Sequence, residues 1–143
     1  MLIGFFGVTL ITIAMALPSS SHAEEIVIHT ESGPHTFSIE VMRTGQERAQ
    51  GLMNRQYLAP EAGMLFDFGD PRPVSMWMKN TYISLDMIFI SKDGVVRSIA
   101  ENTTPLSTKI ISSKSQVRYV LEVNGGTASR LGVKPGDRVT LPE

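Results

Sequence analysis

Apolar and polar residues alternate along most of the chain after residue 24, with a period of two, and this predicts strands. Residues 26–30 and 35–42 make two such runs, and Ser32-Gly33-Pro34 between them has turn chemistry, so they form a hairpin. In the second run Phe37, Ile39 and Val41 share one face, while Thr36, Ser38 and Glu40 share a wet one. The pattern changes at 75–90, SMWMKNTYISLDMIFI, which reads as two strands apolar on both faces. Met76, Met78 and Asn80 oppose Trp77, Lys79 and Thr81; Leu85, Met87 and Phe89 oppose Asp86, Ile88 and Ile90. A strand covered on both faces belongs at the centre of a sheet. Further strands are expected at 95–101, 117–123 and 138–141, with Asp93-Gly94 and Pro135-Gly136 as turns.

Helical signals are short. Thr44-Gly45-Gln46-Glu47 is a capping box that opens a helix over 45–53, with Ala49, Leu52 and Met53 inward and Gly51 marking a close backbone approach. A helical turn at 127–131 ends on Gly132. Residues 54–75 are punctuated by Pro60, Gly63, Gly69, Pro71 and Pro73 and read as a long irregular loop over a groove or barrel end; 102–114 reads as a second loop. The expected fold is mostly β (α+β): a single compact domain, a partly closed β-barrel with two short helices.

The first 23 residues stand apart. A nearly continuous apolar run to Leu17 is followed by Pro18 and by small residues Ser21 and Ala23, the layout of a secretory signal peptide cut before Glu24. The domain is then 24–143, exported to a periplasm or secreted, with no membrane segment after cleavage. The chain has no cysteine, which excludes disulfides, thiolate metal sites and a cysteine nucleophile. A net charge of −1 gives no reason to expect nucleic acid as a partner.

The segments GLMNR (51–55), GMLFDF (63–68), WMKNT (77–81), LDMIFI (85–90), LEVNGG (121–126) and GVKPGD (132–137) give the chain its most specific signature. In their order and spacing it resembles the bacterial family catalogued as domain of unknown function 192. Ser84 departs from the pattern, which has proline before the Leu-Asp pair. The resemblance implies a compact, mostly β domain and implies no activity.

Three chemistries remain. Asp86 and Glu122 are carboxylates in apolar strands, and a hydrolase of the glycosidase type needs such a pair. Their structural alternative is an ion pair with Lys79, Arg48, Arg55 or Arg118; for Asp86 a cation partner is the expectation. Met76 and Met78, on one strand face beside Trp77, would suit Cu(I), but methionines more often fill core, so neither metal nor cofactor is expected. Finally, Trp77, Lys79, Asn80 and Arg55 would line one mouth of the barrel and hold a small polar ligand or an envelope protein. That binding module is the preferred function, the carboxylate hydrolase the alternative and the methionine Cu(I) carrier the third. The sequence leaves open whether the protein is an enzyme and how many copies associate.

Overall fold

The hairpin of β1 (Glu24–Thr30) and β2 (Gly33–Met42) pairs antiparallel, Ile26 opposite Phe37 and Ile28 opposite His35, as the alternating apolar positions require. The computed structural model describes residues 23–143; the expected signal peptide falls on the segment outside the described residues, but for Ala23. From β2 the chain crosses through α1 (Gly45–Gln50) to β3 (Ala62–Met76), which runs parallel to β2. Then follow β4 (Leu85–Ile90), β5 (Val96–Ala100), β6 (Ile111–Asn124), α2 (Thr127–Leu131) and β7 (Arg138–Thr140). All seven strands form one sheet in the order β5-β4-β6-β3-β2-β1-β7.

The sheet curls into a half-barrel, and its two edges meet. Val139 N–H donates to Gly94 C=O at 2.8 Å, Val96 N–H to Asp137 C=O at 3.0 Å and Gly136 N–H to Val96 C=O at 2.8 Å. Gly94 is required at this seam: its φ is +72°, and a Cβ there would sit 2.5 Å from Val139 C=O. Joining the edges removes the unpaired ladder groups that would otherwise invite association.

The central strands β3, β4 and β6 carry a core on each face. One core, inside the curl, unites Ile26, Ile28, Phe37, Ile39, Leu65, Ile88, Ile90, Leu121 and Val123. The other, on the convex face, unites Leu52, Met64, Phe66, Met78, Leu85, Met87, Phe89 and Val120. This explains why LDMIFI is fully buried although its neighbours alternate.

Two expectations fail. Residues 54–75 are not a long loop, because β3 takes up the segment from Ala62 onward; its glycines and prolines are absorbed by register shifts between Asp67 and Arg72 and between Pro73 and Ser75. Residues 77–81 are not a strand either. β3 ends at Met76, and the chain turns back with Thr81 N–H donating to Met78 C=O at 3.1 Å and Asn80 at φ +52°. The α1 helix is shorter than expected and ends at Gly51, whose φ is +46° and whose Cβ position lies 3.0 Å from the Phe66 ring. Its capping box is formed in both directions, Thr44 with Glu47.

Candidate functional site

Each buried carboxylate has a distinct setting. In the β4–β6 ladder Asp86 stands opposite Val123, and Glu122 stands opposite Met87. Opposed residues of an antiparallel ladder point the same way and neighbours along a strand point oppositely, so the two carboxylates face opposite sides of the sheet. They do not flank one bond, and the pairing expected of a glycosidase is not formed.

Asp86 is sealed from solvent on the inner face. Its Oδ1 accepts from the backbone N–H of Asn102 at 2.8 Å and of Gly126 at 3.1 Å, and its Oδ2 from that of Ala128 at 2.8 Å. The expected cation partner is absent: three backbone amides take that role. Gly126 precedes α2 with φ +87° and offers no side-chain cap, so Asp86 caps α2 from another strand. Lys79 is exposed, and Arg118 and Arg55 form ion pairs with Asp67 and Glu40 instead.

Glu122 is buried on the outer face, and burial alone pushes its carboxyl up to about 8; no hydrogen bond or cation offsets the cost. Among the described residues no side-chain oxygen is both sealed and without a hydrogen-bond partner. The Glu122 carboxyl therefore opens onto a groove of about 350 Å³ that it helps to line. The groove lies between the α1 end (Arg48, Leu52), β3 (Phe66, Phe68, Arg72) and the turn after it (Trp77, Lys79). At neutral pH Glu122 is a proton-bearing acid, able to donate a hydrogen bond from an apolar floor.

The rim is aromatic and basic. Lys79 Nζ lies 5.1 Å from the centre of the Trp77 ring, and the Arg48 and Arg72 guanidinium carbons lie 5.1 and 5.3 Å from that of Phe68. Trp77 is 44% exposed, so it is a wall of the groove and not a core residue. Arg48 is anchored by Nη1, which donates to Arg43 C=O and to Asp67 C=O at 2.9 Å.

Of the four expected ligand-binding residues, Trp77 and Lys79 come together in the groove; Asn80 and Arg55 do not line it. Asn80 shapes the turn through its backbone, at φ +52° with its C=O accepting from Asn54 N–H at 2.8 Å. Arg55 is held by Glu40 through two hydrogen bonds, and these, helped by the Arg55 charge, keep the Glu40 carboxyl below the usual range. Met76 lines the groove, whereas Met78 is buried in the outer core and its sulfur accepts from Thr103 Oγ1 at 3.2 Å, so the two do not share a face. Sequence reasoning missed Phe68 and Arg72 as groove residues, because 54–75 read as loop; the run GMLFDF was the available sign of a strand.

The fold and groove define a small single-sheet β protein with a partly closed barrel and one partnerless acid beneath an aromatic, basic rim. The chain belongs to the DUF192 family, described as "Uncharacterized ACR", whose model matches residues 26–141. Two solved structures are similar. A protein from Sinorhizobium meliloti 1021, described as a "putative transcription regulator", shares 53% identity over 82% of this chain and 92% of its own, with a TM-score of 0.80. A protein of unknown function from Novosphingobium aromaticivorans DSM 12444 shares 38% identity over 94% of this chain and 100% of its own, with a TM-score of 0.81. No curated protein matches the chain.

Proposed function

We propose that the protein is an exported binding module that holds one small polar ligand in the groove above Glu122. The observation that carries this reading is Glu122 itself, a buried acid without a protein partner that opens onto a cleft walled by Trp77 and Lys79. Buried polar groups left unmatched by the protein are costly, and a ligand that supplies the missing partner recovers that cost. Export rests on the pattern of the first 23 residues.

The groove supports hydrolysis less well. Glu122 has the raised pKa of a general acid, but the second carboxylate points to the other face of the sheet. The regulator description of the S. meliloti protein finds little support in this chain. Its net charge is −1, and its two helices among the described residues have six and five residues, short for reading a DNA groove.

Trp77 is the only tryptophan, so its indole N–H gives one resolved signal in a 15N-labelled sample. Screening a library of small polar compounds should yield binders that shift this signal, with affinity weakened about tenfold or more in Glu122→Gln. A library that leaves the Trp77 signal unmoved at millimolar concentration refutes the binding reading.

A further inference from the structure

We infer that the ligand of this groove is a small organic anion with a flat apolar body, its charge held by Lys79, Arg72 and Arg48 and its body laid against Trp77 and Phe68. The inference rests on the groove being a binding site and adds the chemistry of what it takes.

Charge bookkeeping over the described residues carries the argument. Arg43, Arg55, Arg118 and Lys134 are each in an ion pair, with Glu24, Glu40, Asp67 and Glu31. The other nine of the thirteen Lys and Arg form none among the described residues, and three of those nine, Arg48, Arg72 and Lys79, line this one groove. They come from three separate elements, α1, β3 and the turn after it, and converge on one cleft. Each lies over an aromatic ring, a contact that uses none of its N–H donors, although Arg48 commits its Nη1 to the Arg43 and Asp67 carbonyls. The one acid that lines the groove is Glu122, which bears its proton at neutral pH and adds no negative charge. The cleft is therefore positive, pre-positioned and short of acceptors.

The body follows from the walls and the size. Phe66, Phe68, Met76 and Trp77 give an apolar surface, and about 350 Å³ is at the small end of ligand sites, room for one or two fused rings. A simple inorganic anion would leave that surface uncovered. A neutral sugar would leave three cations unmatched. An aryl carboxylate satisfies both, and the Glu122 O–H can donate to an oxygen of the ligand.

A pH signature separates this arrangement from a general attraction to a basic surface. The groups that face Glu122 across the groove are Arg48 from α1, Arg72 from β3 and Lys79 from the turn, while β4 offers only Met87 from its adjoining position. A change in binding between pH 7 and 9 that is lost in Glu122→Gln belongs to Glu122, whose carboxyl is pushed up to about 8 by burial. Ionising it places a negative charge under the anion and removes the donated hydrogen bond.

The test uses four probes, three naphthalenes and acetate, at low ionic strength, where rim charges are least screened. They are 2-naphthoate, 2-naphthylmethanol, 2-naphthylmethylammonium and, as the anion without a body, acetate. Binding is read from the Trp77 indole N–H signal of the mature protein. The expectation is that 2-naphthoate binds at least about tenfold tighter than the alcohol, with the ammonium and acetate weaker still. The preference should vanish in an Arg72→Gln, Lys79→Gln double variant, and naphthoate affinity should fall from pH 7 to 9 in the wild type and stay level in Glu122→Gln. Equal binding of naphthoate and alcohol, or tighter binding of the ammonium, overturns the anion and leaves the groove a ligand site. Tight acetate binding overturns the apolar body. Failure of all four probes, in a protein whose Trp77 signal does respond to other library compounds, rejects this ligand class alone; silence toward the library as well removes both readings.

Discussion

Replacing Asp86 by asparagine tests the reasoning about its three amide partners. The substitution keeps shape and volume and removes one acceptor. With its oxygen at the Oδ1 position, asparagine keeps Asn102 and Gly126 but turns an NH2 toward the N–H of Ala128, two donors face to face in a sealed site. Flipped, it keeps Ala128 and loses the other two. In the better orientation the loss is one hydrogen bond to a charged acceptor, about 1.5–3 kcal/mol, plus a stranded buried donor, about 1–3 kcal/mol. A total of about 3–5 kcal/mol is expected, a large part of the roughly 5–15 kcal/mol that holds a domain of this size together.

Urea denaturation followed by Trp77 fluorescence measures it. With a slope of about 2 kcal/mol per molar, the middle of the usual range, the midpoint should fall by roughly 1.5–2.5 M at unchanged slope. Lys79→Gln is the necessary control. If Asp86 needed a cation, loss of Lys79 would cost as much; because amides satisfy Asp86, that variant should stay within about 0.5 kcal/mol of wild type. An Asp86→Asn midpoint within the same margin would refute the amide account and free Asp86 for another role.

Glu122 should make the fold less stable as pH rises. Its folded pKa, about 8, lies above the unfolded value near 4.5, so the folded state binds the extra proton between them. Stability is then greatest below about pH 4.5 as far as this group is concerned, falls by up to about 1.4 kcal/mol per pH unit toward 8 and levels beyond it. Urea midpoints at pH 5.5, 7 and 8.5 should show a decline that is missing in Glu122→Gln; parallel profiles for the two proteins count against a raised pKa. Gly94→Ala should lower stability by about 1–3 kcal/mol through the clash with Val139 C=O at the seam and the strained φ, and speed amide exchange at Val96 and Val139; a neutral effect on both contradicts the closed seam. Mass measurement of the protein recovered from its native cell envelope should give a chain starting at Glu24, and a mass retaining residues 1–17 would mean an anchor instead.

Local chemistry was legible where one residue type has one structural use. The Thr44–Glu47 capping box, the Gly132 cap of α2 and the two-faced pattern of 85–90 all appear in the structure as the residues imply. What could not be read was the effect of tertiary pairing on β3. Pro71 and Pro73 argue against a strand locally, yet bulges let the strand continue past them opposite β6. The groove was half legible. Trp77 and Lys79 stood out as an aromatic and a charge in an apolar run, but Arg55 is a charge of equal promise that Glu40 holds, and Asn80 lies in the turn outside the groove. A cation is available or spent according to which acid folds beside it, and no sequence spacing encoded the Glu40–Arg55 contact across 15 residues.

The contrast between the two buried carboxylates is what supports the proposed role of the groove. Both lie in the same strand pair, both are shielded, and both cost desolvation energy. Asp86 returns that cost through three amides and holds α2 and the 101–103 turn against β4, so the architecture accounts for it fully. Glu122 returns nothing to the fold: no amide, hydroxyl or cation meets it, and its burial works against stability at neutral pH. A methionine or leucine at that position would extend the outer core beside Met87 and Val120. The proposed binding role accounts for this costlier residue in a groove that it lines together with the exposed Trp77 and with Arg48, Arg72 and Lys79.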